Sequence, residues 1–222
     1  MSMNKAFIFD MDGVLVDSER HWEPLEEPFL KKIFGEKVAG ELGSLVGVGL
    51  DGVYKKAIEL GANVDWNEFL RGYEEVAMRV YDAAAITKGL DELVQRLIEL
   101  EFKIGLVTQS PRTWVNRVLP QLSFENKLEV VLSLKERPDL KGKPEPDGFL
   151  AALKTLDADP QRSIVLEDSN FGIQAAKAAG CYVVAFRGNL VEGYEQTGAD
   201  AYADTMGDVI KLVENREKKD SP

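Results

Sequence analysis

The sequence predicts an α/β fold, in which a helical bundle is inserted into a parallel-sheet core. Three observations predict it. Short runs that are apolar on both faces recur along the chain, helical patterns separate them, and one long segment near the start lacks strands. Strands that alternate with helices are typical of a parallel sheet covered on both sides. The predicted strands are residues 6–10, 103–108, 128–134, 163–168 and 181–186, and the clearest intervening helical patterns are 90–100 and 148–156.

Residues 17–86 break this alternation, because they contain several helical patterns and no convincing strand. In the strongest pattern, apolar residues recur at spacings of three and four, which predicts one buried helix face. These residues are Trp66, Phe69, Leu70, Tyr73, Val76, Ala77, Val80 and Tyr81. We interpret them as core packing. Pro24 and Pro28 disfavour a regular first helix, which is expected to be kinked or to begin near Pro24.

Composition and charge restrict the classes of function. The 222 residues carry a net charge of −11 and no obvious basic patch, which argues against a nucleic acid or an anionic membrane as partner. No apolar run approaches the roughly 20 residues of a membrane span, and no signal-peptide pattern begins the chain. The single cysteine, Cys181, lies in an apolar run and is expected to be buried. We therefore expect a monomeric protein of the reducing cytoplasm.

Polar residues follow three of the predicted strands. Asp10 ends the first strand, Thr108 ends the second, and Glu167 and Asp168 end the fourth. Ligands of open α/β sheets bind beyond the carboxyl ends of the strands. These side chains are therefore predicted to meet in one functional site.

The segment Asp10-Met11-Asp12-Gly13 permits more than one interpretation. It is compatible with a solvated turn in which Gly13 adopts a positive φ. A calcium loop of the EF-hand type needs a third oxygen ligand at position 14, which is Val14, so that interpretation fails. A third interpretation is a phosphoryl-transfer site with one carboxylate as nucleophile and Mg²⁺ ligand and the other as proton donor, and the segment alone does not decide between this site and the solvated turn.

Three further signals are individually ambiguous. Thr108 is either a cap at the end of its strand or a hydroxyl donor to a phosphoryl oxygen. Lys143 precedes two prolines in "KGKPEPDGFL" and is either solvated or held rigidly at a site. Glu167 and Asp168 either cap the following helix or bind a metal.

The order and context of these signals resemble the haloacid dehalogenase superfamily, in the branch of phosphatases and phosphomutases related to β-phosphoglucomutase. The resemblance covers nearly the whole chain and rests on four segments: "FDMDG", "VTQS", "KPEPDGF" and "LEDSNFGIQAAKAAG". It implies a Rossmann-like core domain formed by residues 1–16 and 87–222. Residues 17–86 correspond to the cap domain of the family and are called the helical cap below.

The resemblance also implies a catalytic mechanism. Asp10 would attack phosphorus to form an aspartyl-phosphate, and Asp12 would protonate the leaving group and then activate water. Mg²⁺ would be bound by Asp10, by the backbone carbonyl of Asp12 and by Asp168, with Glu167 as a further ligand or a neighbour of the ligands. Such a set of oxygen ligands suits Mg²⁺.

The substrate side of the site is implied in the same way. Thr108 and Lys143 would bind the phosphoryl oxygens, where charge develops in the transition state. Gln109 and Ser110 belong to the same motif as Thr108 and are predicted to contact the substrate. His21, the only histidine, lies at the entrance to the helical cap and is a further candidate for substrate contact.

One departure from the family separates phosphatases from mutases. The family's mutases grip a second phosphate with an arginine in a loop of the cap, where this sequence has Val48, Gly49 and Leu50. Arg71 and Arg79 are the possible substitutes, and both are expected on a solvated helix face.

The sequence therefore predicts a Mg²⁺-dependent phosphatase of small phosphorylated metabolites, such as sugar or polyol monophosphates. The alternative is a sugar phosphomutase of the β-phosphoglucomutase type. A phosphoacceptor receiver domain is a more remote alternative, since receivers are much shorter and have no helical insertion.

Overall fold

The computed structural model describes residues 3–45 and 47–220. Within these ranges, six parallel strands form one sheet with the order β3-β2-β1-β4-β5-β6, so that β1 lies between β2 and β4. The strands are β1 Ala6–Phe9, β2 Lys103–Thr108, β3 Val130–Ser133, β4 Ile164–Glu167, β5 Tyr182–Phe186 and β6 Ala201–Ala203. The predicted α/β class with a parallel sheet is confirmed.

Helices connect the strands, and in the described part of the chain the first five of them lie between β1 and β2. The helices are α1 Glu19–Phe34, α2 Glu36–Glu41, α3 Leu50–Glu59, α4 Trp66–Ala83, α5 Leu90–Glu99, α6 Arg112–Val118, α7 Asp147–Thr155, α8 Asn170–Ala178 and α9 Met206–Asp220. Short 3₁₀ turns occur at Leu119–Gln121, Glu125–Lys127, Leu134–Glu136 and Pro160–Arg162. In the described part of the chain, none of these helices combines the length and the apolar character that crossing a bilayer requires.

Alternation along β1 explains why both faces of the sheet are covered. Phe7 and Phe9 point to one face and join a core that includes α5, α9 and the helical cap. Ala6 and Ile8 point to the other face, towards α7 and α8. Because successive side chains of a strand alternate between faces, a strand buried on both sides must be apolar throughout.

The chain enters and leaves the helical cap through two adjacent segments. Val16 and Ile86 form an antiparallel bridge. On either side of it, the amide of Asp17 donates to the carbonyl of Ala85 at 2.9 Å, and the amide of Thr87 donates to Leu15 at 3.0 Å. The backbone therefore enters and leaves the described helices of residues 17–86 at a single place beside the sheet.

Helix α1 begins at Glu19 and contains both Pro24 and Pro28, so the start near Pro24, one of the two expectations, is wrong, and the kink stays a prediction. The first turn is held by the carbonyl of Ser18, which accepts hydrogen bonds from the amides of His21 and Trp22 at 2.9 and 3.2 Å. Trp22 also packs against aromatic residues of other helices. These tertiary contacts extend the helix beyond the limit that local propensity predicts.

Two further features of the core bear on the sequence analysis. Strand β6, Ala201–Ala203, was missed because three residues are too few to produce a recognisable alternation.

Cys181 is buried, as predicted, and burial raises the pKa of its thiol to about 12. The thiolate is therefore scarce at neutral pH, which makes this cysteine unreactive.

The packing of α4 against α1 yields a stability prediction. A Cβ atom at Gly72 would lie 2.3 Å from Cε2 of Phe29, whereas one at Gly40 would meet nothing within 4 Å. Both glycines are helical, so alanine improves helix propensity at both positions. We expect Gly72→Ala to have a free energy of unfolding about 1–3 kcal/mol lower than Gly40→Ala, because of overpacking. Urea denaturation of the two variants measures this difference, and equal stabilities would contradict the α1–α4 contact.

Candidate active site

The predicted strand ends meet at one edge of the sheet. Asp10 follows β1, Thr108 ends β2, and Glu167 and Asp168 lie at the end of β4. Strand β1 pairs with both β2 and β4, and the amide of Asp10 donates to the carbonyl of Leu166 at 3.0 Å. The four side chains are buried. This edge is also where the strand order reverses direction, which is the usual place for a ligand site in an open α/β sheet.

Asp10, Glu167 and Asp168 form a compact acidic cluster. One carboxylate oxygen from each lies within 4.8 Å of the others. The Oδ2 atom of Asp168 is buried without a hydrogen-bond partner in the described chain. Gly13, with φ of +71°, makes room for it, since a Cβ there would lie 2.1 Å from this oxygen. Three buried carboxylates with one unsatisfied oxygen fit a hard divalent cation.

The negative charges in this cluster repel one another. Burial raises the pKa of Asp10 well above its usual range, and the neighbouring carboxylates of Glu167 and Asp12 raise it further. Burial likewise raises the pKa of Asp168, and Glu19 and Glu167 add to the effect. Cations placed beside these groups therefore favour their ionised forms.

Lys143 supplies one such cation. Its buried Nζ donates hydrogen bonds to Oδ1 of Asp10 and to Oε1 of Glu167. Burial alone would lower the pKa of Lys143, but the two carboxylates outweigh that effect and raise it. The lysine is charged and fixed, and it lies 5.5 Å from the centre of the Phe149 ring.

Glu167 is held from both sides. Its Oε1 accepts from Lys143, and its Oε2 accepts from the amides of Asp168 and Ser169 and from the Ser169 hydroxyl, each at 3.1 Å. Gly172 on α8 permits this arrangement, since a Cβ there would lie 1.9 Å from the carboxyl carbon of Glu167. Because both oxygens already have donors, Glu167 is placed to hold Lys143, whereas Asp168 has an oxygen to spare.

The Asp12 carboxylate lies apart from this cluster and is bound by three hydroxyl groups. Ser18 and Tyr81 donate to its Oδ1, each at 2.7 Å, and Ser110 donates to its Oδ2 at 2.6 Å. Burial raises the pKa of Tyr81, and the charge of Asp12 raises it further, so the phenol stays a donor. The side chain of Asp12 is therefore fixed near Asp10 but is not part of the acidic cluster. Metal binding through the backbone carbonyl of Asp12 stays a prediction.

The residues after β2 connect the site to the helical cap. The Oγ1 of buried Thr108 accepts from the amide of Ser110 at 3.0 Å, which leaves its own hydrogen available to a ligand. Gln109 donates from Nε2 to the carbonyl of Gly47 at 3.0 Å. Gln109, predicted to contact the substrate, thus also contacts the helical cap.

A cavity of about 520 Å³ extends from the acidic cluster into the helical cap. Val48, Gly49 and Leu50 line it, whereas Arg71 and Arg79 are exposed and lie outside the lining. Thr108, Gln109, Ser110 and Lys143 also line the cavity. The wall thus includes most of the predicted substrate-binding residues.

His21 is not among the lining residues of the cavity, and its neighbour Trp22 is. The suggested role of His21 in substrate contact stays a prediction without geometric support. Sequence reasoning missed Glu19, which lines the cavity and whose pKa burial and the charge of Asp12 raise to about 8. It also missed the hydroxyl of Tyr81, although the apolar stripe of α4 had placed this residue on the buried face.

Comparisons with known proteins agree with this geometry. The sequence model of a family described as haloacid dehalogenase-like hydrolases matches residues 7–186. Validoxylamine A 7'-phosphate phosphatase from Streptomyces hygroscopicus subsp. limoneus is 30% identical over 198 residues, which cover 82% of this chain and 85% of the relative. Hexitol phosphatase B from Escherichia coli K12 is 31% identical over 185 residues, or 78% and 79% of the two chains.

A solved structure shows a similar fold. The crystal structure of a hydrolase from Pseudomonas syringae has a TM-score of 0.77 and 23% identity, and the match covers 96% of this chain and 99% of that one. At this identity the likeness concerns the arrangement of the sheet and helices.

Gly172 gives a direct test of the buried ion pair. Gly172→Ala places a methyl group within the Glu167 carboxyl group, so Glu167 must move away from Lys143. Breaking a buried pair costs about 3–5 kcal/mol, and we expect a loss of this size in the free energy of unfolding. Gly207→Ala on α9 is the matched control, since its Cβ would meet Thr205 only at 3.6 Å. If chemical denaturation gives both variants the same stability, the pairing of Glu167 with Lys143 does not hold the site together.

Proposed function

Because the chain belongs to the haloacid dehalogenase-like hydrolase family, as its motifs predicted, we propose that it is a Mg²⁺-dependent phosphatase of small polyhydroxylated monophosphates, acting through an aspartyl-phosphate. The single observation that carries the proposal is the position of Asp10. It accepts a hydrogen bond from the Lys143 ammonium, has the Asp12 carboxylate as a charged neighbour, and lines a cavity far larger than a phosphate group.

The names of two relatives support the same substrate class. One relative is named for a validoxylamine phosphate and the other for hexitol phosphates, which are phosphate esters of polyhydroxylated molecules. Both relatives match this chain over more than three quarters of its length. A sugar or polyol monophosphate is therefore the substrate class we propose for this chain.

In the first chemical step, a carboxylate oxygen of Asp10 attacks phosphorus. The bond from phosphorus to the ester oxygen breaks, and its electron pair goes to the leaving alkoxide. Asp12 delivers a proton to that oxygen, so the product leaves as an alcohol. The hydroxyl groups of Ser18, Tyr81 and Ser110 hold the Asp12 carboxyl group in position during this transfer.

In the second step, water attacks the phosphorus of the aspartyl-phosphate. Asp12 accepts a proton from this water, the bond from phosphorus to the Asp10 oxygen breaks, and inorganic phosphate leaves. Thr108 and Lys143 donate to the phosphoryl oxygens in both steps, where negative charge must be stabilised. Splitting one displacement into two in this way is the general advantage of a covalent intermediate.

Asp10, Asp168 and the backbone carbonyl of Asp12 are the groups we assign to Mg²⁺. The free Oδ2 of Asp168 and the crowding of buried carboxylates support this assignment. When bound, the ion neutralises charge on the phosphoryl group and on the cluster. Glu167 is assigned the separate task of holding Lys143.

The mutase alternative has less support. A mutase must hold a second phosphate, which arginine binds well through paired charge-assisted hydrogen bonds. The corresponding wall of the cavity consists of Val48, Gly49 and Leu50, and the side chains of Arg71 and Arg79 are exposed elsewhere. We therefore propose transfer of the phosphoryl group to water. A cytoplasmic location and a monomeric state stay predictions.

Asp10→Asn tests the nucleophile. The amide keeps the shape of the side chain but lacks the attacking charge, so turnover should fall by about 10³-fold or more. Release of inorganic phosphate from a panel of sugar and polyol monophosphates measures this, without any bisphosphate activator. Asp139→Asn, which alters an exposed carboxylate paired with Arg137, is the control and should retain wild-type turnover. Retained activity in Asp10→Asn, or isomerisation of a sugar phosphate without phosphate release, would refute the proposed reaction.

Asp168→Asn tests the metal site. Removing one charge from the cluster should weaken Mg²⁺ binding more than about 10-fold and raise the Mg²⁺ concentration that half-maximal activity requires. Calorimetric titration with Mg²⁺ gives the dissociation constants of the wild type, this variant and Asp139→Asn. Chelation should abolish phosphate release from the wild type, and added Mg²⁺ should restore it. Full activity after exhaustive chelation would remove the metal from the mechanism.

A further inference from the structure

The part of the cavity within the helical cap extends beyond the space that a phosphate group needs. The cavity of about 520 Å³ reaches from Asp10 to α1, α3 and α4, and ligand sites of this size bury molecules much larger than phosphate. The remaining space therefore accommodates the leaving group of the ester. The residues around that space determine which leaving groups are accepted.

The wall of this space carries negative charge, and its described residues offer no cation that is free of a protein partner. Glu19, Glu26, Glu27 and Glu192 line the cavity in addition to the carboxylates at the strand ends. Among the lining residues that the structure describes, Lys143 is the one cation, and it is bound by two carboxylates. A leaving group that carried its own carboxylate or phosphate would meet repulsion here without a partner.

Glu26 is the most deeply buried of the four added glutamates, with 7% of its surface exposed. It lies on α1, and the hydroxyl of Tyr73 on α4 donates to its Oε1. Within the described chain, no protein donor is bonded to its Oε2. Burial raises the pKa of Glu26, while the hydrogen bond from Tyr73 lowers it. This carboxyl group is fixed at the cavity wall with one oxygen available as an acceptor.

Aromatic rings adjoin this carboxyl group. Trp22 lies 5.4 Å from Tyr73 and 5.3 Å from Trp114, measured between ring centres, and all three line the cavity. The polar atom of Trp114 is already used, because its Nε1 donates to Glu74 at 2.9 Å. The rings therefore offer apolar surface, next to an acceptor that favours O–H groups. A carbon skeleton with hydroxyl groups fits this combination.

From these observations we infer that the helical cap selects uncharged leaving groups bearing hydroxyl donors, and that Glu26 is the residue that determines this specificity. Glu26 accepts an O–H group through Oε2 and repels leaving groups that carry an anion. This inference rests on the proposed phosphatase function. It narrows the substrate class to esters whose only anionic group is the phosphate being removed.

Two substrates of matched length test the selection. Sorbitol 6-phosphate and 6-phosphogluconate are both open chains, and they differ only in a terminal CH₂OH or carboxylate. We expect the wild type to have a kcat/KM at least 30-fold higher for sorbitol 6-phosphate. Glu26→Gln should reduce this ratio at least 10-fold, because the amide does not repel the carboxylate. Glu59→Gln changes an exposed glutamate of the same helical cap that pairs with Lys55, and it should keep the wild-type ratio.

A wild-type measurement makes the test independent of how the variant folds. Free sorbitol should inhibit hydrolysis of 4-nitrophenyl phosphate with a constant at least 10-fold lower than that of gluconate. Equal inhibition by the two, or a substrate ratio near one, would overturn the inference. A ratio that Glu26→Gln leaves unchanged would overturn the role of Glu26. If the wild type hydrolyses no phosphate ester, including 4-nitrophenyl phosphate, then the proposed function itself fails.

Discussion

The structure depends on holding several buried carboxylates together at one edge of a parallel sheet. Asp10, Glu167 and Asp168 repel one another, and burial strengthens the repulsion. Lys143 joins Asp10 to Glu167, and backbone amides satisfy the rest of Glu167. Other features of the fold allow this arrangement. Glycines occupy the positions where any side chain would collide with a carboxylate, and the cluster faces a cavity that a charged ligand can enter.

The parts of the site that follow from regular structure were predictable from the sequence. Apolar runs located the strands, and the parallel arrangement placed Asp10, Thr108 and Asp168 at the same sheet edge. The position of Lys143 was harder to predict, because this residue lies in a loop that carries no periodic pattern. Only the order of the motifs, and the family they resemble, indicated that this lysine reaches Asp10.

The parts that depend on packing between helices were not predictable. Tyr73 and Tyr81 were correctly placed on the buried face of α4, yet their hydroxyl groups contact Glu26 and Asp12. These partners are 47 and 69 residues away in the chain, and periodicity cannot indicate which residue faces a given hydroxyl. The start of α1 at Glu19 was equally difficult to predict from local propensity, because Trp22 in its first turn packs against Tyr73 and Trp114.

Asp10 and Asp12, the two groups to which we assign the reaction, differ in what holds them. In the described part of the chain, the side chain of Asp10 is bonded to Lys143, which lies in a loop of the core, so its position is fixed once the core has folded. Asp12 takes two of its three donors from Ser18 and Tyr81, at the beginning and the end of the helical cap. A rotation of the four helices about their shared attachment would move both donors together. In the proposed mechanism, the geometry of phosphorus attack therefore depends on the core, whereas that of proton transfer also depends on how the helices sit on the core.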